Sequence, residues 1–300
     1  MSDILRATGL TRRFRSNLAL DGLDLAVPEA SVYALVGPNG AGKTTTIKIL
    51  MNLLRATSGE ASVMGRDSRA LSPADYASIG YVSENQRLPL WMTVGYFMEY
   101  LRPFYPTWDA ELATQLLRQL DLPPDRKLKH LSRGMRMKAA LASSLAYRPK
   151  LIVLDEPFSG LDALVRDELI ESLLDSADEA TIFIASHDLA EIESFSSHVG
   201  FLYRGRLQSS EELSALIARF REIEIACPQT AALPSPWPAQ WINPELSGAV
   251  VRFTDSRFDP RTTPDLIRTL FGDGCRIDVN PLPLRSIFVA LSKANREVAN

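Results

Sequence analysis

The stretch Gly37-Pro38-Asn39-Gly40-Ala41-Gly42-Lys43-Thr44 decides the fold, because it lies between an apolar run, Val32 to Val36, and a helix-like run, Thr45 to Leu54. It fits the pattern G-x-x-x-x-G-K-[ST] in the strand–loop–helix context of a phosphate-binding loop. The glycines let backbone N–H groups turn toward an anion, and the following helix directs its positive end at the same charge. Lys43 would reach the terminal phosphates and the Thr44 hydroxyl would ligate Mg²⁺. The full pattern argues against an ordinary turn and predicts that the chain binds a nucleoside triphosphate.

Length and composition are typical of a globular protein with one large or two modest domains. Of the 300 residues, 46% are hydrophobic and 23% are charged, and the formal net charge of −3 indicates no overall attraction to nucleic acid. No apolar stretch approaches the roughly 20 residues that span a bilayer, and the first residues show no secretory pattern. A membrane role is therefore expected to require a partner. Cys227 and Cys275 are far apart and lack metal-ligand spacing, which predicts reduced thiols of a cytosolic protein.

Two later apolar runs end in polar residues suited to catalysis. Leu151 to Leu154 leads into Asp155-Glu156, and Thr181 to Ala185 leads into Ser186-His187. Unbroken apolar runs are typical of strands buried on both faces of a parallel sheet. Asp155 is expected to hold Mg²⁺, and Glu156 to orient and deprotonate the attacking water. His187 would hydrogen-bond the γ-phosphate and hold the water and Glu156 in place, with a purely structural role as the alternative.

The remaining pattern predicts two domains. Residues 1–210 are predicted to form an α/β P-loop NTPase cassette with a mixed sheet, in which residues 88–145 have helical period and form a helical insert. Within this part, residues 4–8 and 18–27 are predicted to be short strands. Residues 211–300 are predicted to form a small C-terminal α+β domain, in which prolines between 228 and 238 mark an irregular loop. This second domain contains no catalytic constellation, and its role stays open.

Aromatic residues provide two further candidates. Phe14 precedes the loop among charged neighbours, Arg12-Arg13-Phe14-Arg15, and would stack on the adenine face, although a core position is about equally compatible with the sequence. The insert is rich in large apolar side chains, most of which should be core. A few of them are expected to form an exposed patch where another protein docks. The set is Trp91, Met92, Tyr96, Phe97, Tyr105 and Trp108.

The chain resembles the ATP-binding cassette (ABC) ATPases, because several motifs occur in the order and spacing of that family. They are Gly37 to Thr45, Leu131-Ser132-Arg133-Gly134-Met135, Leu151 to Glu156, Ser159-Gly160-Leu161-Asp162 and Ser186-His187. The Leu-Ser-x-Gly element separates this family from GTPases, kinases and other P-loop proteins. The resemblance covers residues 4 to about 208. It implies an ATP-hydrolysing subunit that powers a separate membrane-embedded subunit, of export type by the segment Phe104 to Trp108 and the small C-terminal domain.

The resemblance also implies a head-to-tail dimer with a second ATP-binding subunit, identical or related. Each ATP would lie between one chain's loop and the Ser132-Gly134 region of the other. The implied nucleotide-binding residues are Phe14, Gly37, Pro38, Asn39, Gly40, Ala41, Gly42, Lys43, Thr44, Thr45, Ser132, Gly134 and Asp162. The implied ligands of Mg²⁺ are Thr44, Asp155 and Glu84. The transmembrane subunit would dock in a groove near Glu84 to Thr93, which would hold this chain at the cytoplasmic face of the cell membrane.

The chain departs from the family pattern at two motifs. Arg133 and Met135 stand where the signature usually has Gly and Gln, and Glu84 stands where the family usually has Gln, with Gln86 two residues on. Glu84 can still coordinate Mg²⁺, but it places negative charge near the γ-phosphate. These departures predict slow hydrolysis in the absence of the membrane subunit.

Two other functions compete with transport. A soluble ATP-switched protein of the same family, acting on ribosomes, DNA or an assembly complex, stays open as the alternative. The single P-loop and the lack of a basic field or zinc-binding cysteines argue against it and against nucleic acid as a partner. A P-loop kinase is more remote, because the Leu-Ser-x-Gly element and His187 disfavour it. Selectivity for a transported substrate would reside in the other chain.

Overall fold

The computed structural model describes residues 2–177, 180–228 and 233–297, and the chain divides into two compact units. The first unit takes the chain up to Asp188 together with His198–Ser210. The second takes Leu189–Ser197 and the chain from Glu211 onward. The sequence predicts the boundary between the domains at residue 210. The structure differs in the short segment Leu189–Ser197, which precedes that boundary but packs with the second unit.

The first unit combines two sheets with a helical insert. In chain order its elements are β1 (Asp3–Phe14), β2 (Asn17–Pro28), β3 (Val32–Val36), α1 (Lys43–Leu50), β4 (Ser58–Val63), β5 (Arg66–Asp67), α2 (Pro73–Tyr76), β6 (Ile79–Ser83), α3 (Val94–Leu101), α4 (Ala110–Gln119), α5 (Arg133–Leu145), β7 (Leu151–Asp155), α6 (Ala163–Ser176), β8 (Thr181–Ser186), β9 (His198–Tyr203) and β10 (Arg206–Glu212).

The central six-stranded sheet positions the site. Its order is β10-β9-β3-β8-β7-β6, and the pairs β9–β3, β3–β8, β8–β7 and β7–β6 are parallel. Strand β10 returns from β9 through a two-residue turn, Arg204-Gly205, in which both residues have positive φ as such a hairpin requires. Because β3, β7 and β8 run in one direction, the segments that follow them meet at one edge of the sheet. Ligand sites in open α/β sheets lie at this edge.

The second sheet of this unit is antiparallel, in the order β2-β1-β4-β5. Its leucines, including Leu5 and Leu23, share one core with Ile47 of α1, Leu35 of β3 and Phe183 of β8, and all of these are fully buried. The loop and the start of α1 are therefore held between the two sheets by this shared core. The burial of such large apolar side chains is the main stabilising contribution to the unit.

The helices of the insert begin at polar caps. The Thr93 side chain accepts a hydrogen bond from the Tyr96 N–H at the start of α3, and Asp109 accepts from Leu112 at the start of α4. The buried residues Leu112 and Leu116 repeat at helical spacing on one face of α4, as the sequence predicts. In the parts of the chain described here, none of the helices combines the length and the apolar character needed to cross a bilayer.

The second unit is a four-stranded antiparallel sheet with helices, in the order β12 (Trp241–Ser247), β13 (Val250–Asp255), β11 (Arg221–Ala226) and β14 (Arg276–Pro281). Its core contains Ile223, Ile225, Phe253, Ile267 and the large ring of Trp241, all of them buried. With this unit in place, the predicted fold class, a P-loop cassette with a mixed sheet and helical insert and a small C-terminal α+β domain, is confirmed. Its elements are α7 (Leu189–Glu193), α8 (Leu213–Arg219), β11 (Arg221–Ala226), β12 (Trp241–Ser247), β13 (Val250–Asp255), α9 (Thr263–Phe271), β14 (Arg276–Pro281) and α10 (Leu284–Glu297).

The prediction that Cys227 and Cys275 are reduced thiols is wrong. The two residues form a disulfide, with their Cα atoms 4.3 Å apart. The register of the sheet explains the contact, because β11 and β14 are antiparallel neighbours in which Ala226 lies opposite Arg276. The residue after one strand and the residue before the other are therefore adjacent. Separation along the chain could not reveal this proximity.

Candidate functional site

The loop between β3 and α1 wraps around the Lys43 side chain. The Lys43 ammonium donates a hydrogen bond to the Gly37 carbonyl at 2.7 Å, and the Pro38 carbonyl lies at 3.4 Å. Gly40 and Gly42 have φ of 80° and 116°, which side chains rarely adopt. A Cβ on Gly42 would also approach a neighbouring backbone carbonyl oxygen to 2.7 Å. The glycines are therefore required by the path of the loop, and this path keeps Lys43 at its centre.

Thr44 and Asp155 meet although 111 residues separate them, since the Thr44 hydroxyl donates to Asp155 Oδ1 at 2.9 Å. Burial raises the pKa of Asp155 above its ordinary value, and the hydrogen bond from Thr44 partly offsets this effect. A nearby cation would stabilise the ionised form of such a buried carboxylate. A hydroxyl and a carboxylate of this kind fit Mg²⁺, which takes few protein ligands and completes its shell with phosphate oxygens and water.

No cluster of three or more His, Cys, Asp or Glu side chains suited to a metal occurs within residues 2–177, 180–228 and 233–297. A dedicated all-protein metal cage is thus not formed by the described part of the chain. The Thr44–Asp155 pair suits an ion that arrives with the nucleotide, because such an ion brings most of its ligands with it.

Glu156 lies between a cation and an imidazole. Its Oε1 is 3.1 Å from the Lys43 ammonium, and its Oε2 accepts a hydrogen bond from His187 Nδ1 at 2.7 Å. The Glu156 backbone N–H donates to the Ala185 carbonyl at 2.9 Å and so ties the end of β7 to β8. Both oxygens of the predicted base are therefore held, and its position is set by two elements of the sheet.

One open cleft of about 540 Å³, within the size range of small-molecule sites, is lined by Lys43, Thr44, Glu156 and His187. Phe14 is 40% exposed at its wall, and the Arg12 guanidinium lies 4.4 Å from the Phe14 ring centroid. The sequence did not single out Asn17 or Ala19, which carry no motif of their own for nucleotide binding. Ser159 belongs to one of the family motifs, but the sequence did not assign it to the nucleotide site. The full lining is Phe14, Asn17, Ala19, Asn39, Gly40, Ala41, Gly42, Lys43, Thr44, Thr45, Glu84, Ser159, Glu156 and His187.

Glu84, a predicted metal ligand, is engaged by other side chains. Its Oε1 accepts hydrogen bonds from the Arg133 guanidinium at 2.5 Å and from the Ser159 hydroxyl at 3.0 Å. Its backbone N–H donates to the Asp155 carbonyl at 3.0 Å, so that the residue stays beside the cleft. The pair of Glu84 and Arg133 was not predicted, because it joins the loop after β6 to the first residue of α5, and these are distant in sequence. Metal binding by Glu84 stays a prediction.

Five predicted nucleotide contacts lie outside the cleft lining as the described residues define it: Gly37, Pro38, Ser132, Gly134 and Asp162. The exposed Ser132 and Asp162 side chains cap α5 and α6, by accepting hydrogen bonds from the backbone N–H groups of Met135 and Val165. Gly134 packs against α6, where a Cβ would approach a Val165 methyl group to 3.0 Å. Contact of Ser132 and Gly134 with a second subunit's nucleotide stays a prediction, as does nucleotide binding by Asp162.

The fold and the cleft together define a P-loop nucleotide-binding ATPase. A glycine loop surrounds a buried lysine at the start of a helix, and a hydroxyl–carboxylate pair lies next to it. A candidate base and its histidine follow from the two adjacent strands.

Comparison with known proteins identifies the family. The family model described as ABC transporter matches residues 20–159. The lantibiotic transport ATP-binding protein SrtF of Streptococcus pyogenes is 33% identical over 214 residues, which are 70% of this chain and 91% of that protein. The bacitracin transport ATP-binding protein BcrA of Bacillus licheniformis is 31% identical and covers 69% of each chain. A solved ATP-binding subunit of an ABC transporter superposes with a TM-score of 0.65 at 27% identity, over 72% of this chain and 92% of that one. The chain belongs to the ABC transporter family as an ATP-binding subunit.

Proposed function

We propose that this subunit binds ATP with Mg²⁺ and hydrolyses it to drive export by a separate membrane-embedded subunit. The observation that carries the proposal is the meeting of Lys43, Glu156 and His187 within hydrogen-bond distance in one cleft. Thr44 and Asp155 would hold the Mg²⁺, which when bound neutralises charge on the phosphate oxygens. These parts match what phosphoryl transfer to water needs, namely a cation, a base and a group directed at the terminal phosphate.

The contacts of Glu156 suggest how binding prepares hydrolysis. A triphosphate carries more negative charge than one carboxylate, so it would draw the Lys43 ammonium away from Glu156. Glu156 would then be free to accept the proton of the attacking water, while His187 keeps its other oxygen in position. Because His187 Nδ1–H donates to Glu156, a hydrogen bond from Nε2 to the γ-phosphate requires the doubly protonated ring.

A second cleft, of about 370 Å³ beside the helical insert, supports docking of a membrane subunit near Glu84 to Thr93. Gln86, Leu88, Pro89, Phe97 and Tyr105 contribute to its lining. Exposed aromatic side chains continue the surface, since Trp91 is 65% exposed and its ring centroid lies 5.9 Å from that of Tyr96. Exposed aromatic groups of this kind are enriched at protein interfaces. The subunit would be held there at the cytoplasmic face of the membrane.

The relatives support a role in transport, because SrtF and BcrA are named for transport of a lantibiotic and of bacitracin. The exposed starts of α5 and α6 support a head-to-tail dimer. A helix N-terminus offers N–H groups and a positive field to an anion, and Ser132 places its hydroxyl at such a position. ATP bound to the second subunit would supply that anion.

Detergent co-purification tests the proposal. A multi-span membrane protein that accompanies the chain and stimulates Mg²⁺-dependent phosphate release would support it. Recovery of ribosomes or DNA instead would favour the soluble ATP-switched protein. Trp91→Ala with Tyr96→Ala should reduce recovery of the membrane protein. The matched control is Leu246→Ala, because Leu246 is a large exposed apolar side chain on β12 of the second unit and does not belong to the insert.

A further inference from the structure

Glu84 and Arg133 both depart from the usual family residues, and they contact each other. The Arg133 guanidinium donates to Glu84 Oε1 at 2.5 Å. The Ser159 hydroxyl donates to the same oxygen at 3.0 Å. Three segments thus converge on one carboxylate oxygen: the loop after β6, the loop after β7 and the first residue of α5. The two departures form one structural feature.

The position of Glu84 gives this contact a consequence for ATP. Glu84 lines the nucleotide cleft together with Lys43, Thr44 and Glu156. A second uncompensated carboxylate in that wall would repel a triphosphate. Arg133 places a cation against it, and the Glu84 side chain is only 31% exposed, so the pair is less screened than a fully exposed one.

The loop after β7 is shaped to receive the guanidinium. A Cβ on Gly160 would lie 2.9 Å from Arg133 Nη1 and 3.3 Å from its Cζ, so a side chain there would displace the arginine. Gly160 also has a φ of 68°, which favours glycine. Ser159, its neighbour, supplies the second donor to Glu84. Arg133 is therefore seated between Gly160 and Glu84.

We infer that Arg133 is a positioning residue that neutralises the Glu84 carboxylate and holds it at Ser159, so that ATP binds although a carboxylate stands where the family usually has glutamine. Arg133 and Glu84 work as a compensated pair. The inference rests on the proposed binding of ATP in this cleft, and it assigns Arg133 a role toward its own subunit's nucleotide.

A titration of the full chain with a slowly hydrolysed ATP analogue and Mg²⁺ tests the pair. Arg133→Ala should raise Kd about fivefold, because the carboxylate is left uncompensated, and Arg133→Lys should recover part of the loss. Glu84→Gln combined with Arg133→Ala should return Kd to within about twofold of the wild type, since a neutral amide needs no cation. Arg136→Ala is the matched control. Arg136 is an exposed cation one turn along α5 and makes no hydrogen bond to Glu84 within the described chain.

Two results would overturn the inference. Unchanged affinity in Arg133→Ala is one. The other is a loss that persists in the double variant, which would assign Arg133 only a packing role on Gly160. If the wild-type chain itself fails to bind the analogue, the proposed function fails instead. In that case the pair is tested by thermal unfolding, without nucleotide, of the wild type, Arg133→Ala, Glu84→Gln and the double variant. Non-additive changes in stability would support an interaction between the two side chains, and additive changes would reject it.

Discussion

At the scale of single residues, the backbone at Glu156 is exceptional. This residue has a φ of 53°, in the left-handed region that non-glycine residues seldom adopt. Such a conformation costs on the order of 1–3 kcal/mol and persists only where the surroundings impose it. Here the backbone bond to Ala185 and the contacts to Lys43 and His187 impose it. The local strain directs the carboxylate into the cleft instead of along the strand.

Glu156→Gln separates binding from chemistry, since the amide keeps the shape and loses the proton acceptor. We expect ATP affinity to be retained and turnover to fall by about 100-fold or more, in line with the usual contribution of a general base. An ATP-dependent dimer should accumulate. Phosphate release and light scattering after size exclusion with ATP and Mg²⁺ measure the two effects. A variant that stays monomeric and hydrolyses at the wild-type rate would remove Glu156 from this role.

Asp155 should show a trade-off between function and stability. Burial raises its pKa in the folded state, so the folded chain binds a proton more tightly than the unfolded chain, and stability falls as the pH rises through the raised pKa. Asp155→Asn is therefore expected to melt at a higher temperature than the wild type at pH 7. The difference should shrink as the pH falls toward the ordinary aspartate pKa of 3.8 and disappear below it, where the acid is neutral in both states. At the same time Mg²⁺-dependent ATP affinity should drop. Thermal melts over this pH range and nucleotide titrations test both parts, and a variant that melts lower at pH 7 would contradict the first.

At the scale of elements, buried parallel strands were the most predictable part of the fold. β7 and β8 consist mainly of unbroken apolar runs, and every residue in the two strands is buried, as expected for strands covered on both faces of the sheet. Their ends had to lie together at one edge of the sheet. The proximity of Asp155, Glu156 and His187 to the loop therefore follows from local sequence and from the geometry of parallel sheets.

The antiparallel strands were less predictable because their alternation is interrupted. The sequence predicts strands over residues 4–8 and 18–27, whereas the structure extends them to Asp3–Phe14 and Asn17–Pro28. The register of this pair shifts between Ala7 and Leu10, next to Gly9 with its positive φ. Such bulges change which face a side chain occupies, and they hide the period of two.

The predictions also missed β12, which contains a proline and a register shift between Ile242 and Glu245. A proline inside a run argues against a strand when only the sequence is read. The contact between Glu84 and Arg133 was also not predictable from the sequence, because it depends on how the loop after β6 folds against the start of α5. Sequence motifs identified each of these residues, but only the fold shows that they are paired.

The disulfide in the second unit is expected to stabilise it by linking β11 to β14. The bond joins residues 48 positions apart, and loops of this length typically gain about 2–4 kcal/mol from cross-linking. Reduction should lower the melting temperature of this unit, and Cys227→Ser with Cys275→Ser should do the same. Both cysteines belong to the second unit and the nucleotide cleft is formed by the first, so we expect ATP affinity to be unchanged. Calorimetry with and without dithiothreitol measures the shift.

The double serine variant is the control for the reductant, because dithiothreitol should not alter its melting. Alkylation of the unfolded, unreduced wild-type chain should leave both cysteines unlabelled. Two labelled thiols per chain under those conditions would show that the bond does not form in solution.

At the scale of the whole molecule, the catalytic groups and the signature element are separate parts of one chain. Lys43 and Glu156 line the cleft, whereas the described lining does not include Ser132. A symmetric head-to-tail pair would complete each site with the other subunit's Ser132. The charge-assisted hydrogen bonds from both sides to one ATP, roughly 1.5–3 kcal/mol each, would then favour the closed pair. Hydrolysis would remove part of that stabilisation and allow opening, since a ligand shifts an equilibrium only by its differential affinity.

Mixing two inactive variants tests this arrangement. Lys43→Ala should lose ATP binding, and Ser132→Ala should lose turnover and ATP-dependent dimerisation while the monomer still binds ATP. In a mixed dimer one site combines the intact Lys43 of one chain with the intact Ser132 of the other. Neither variant is expected to form an ATP-dependent dimer with itself, so the ATP-bound dimers should all be mixed, with one of their two sites intact. The mixture should therefore recover up to roughly half of wild-type turnover if the sites act independently. Loss of the α5 cap in Ser132→Ala lowers stability by about 0.5–2 kcal/mol, but a Lys43→Ala partner cannot repair a folding defect. Recovered phosphate release therefore reports a shared site, and a mixture no more active than its components would reject the head-to-tail dimer.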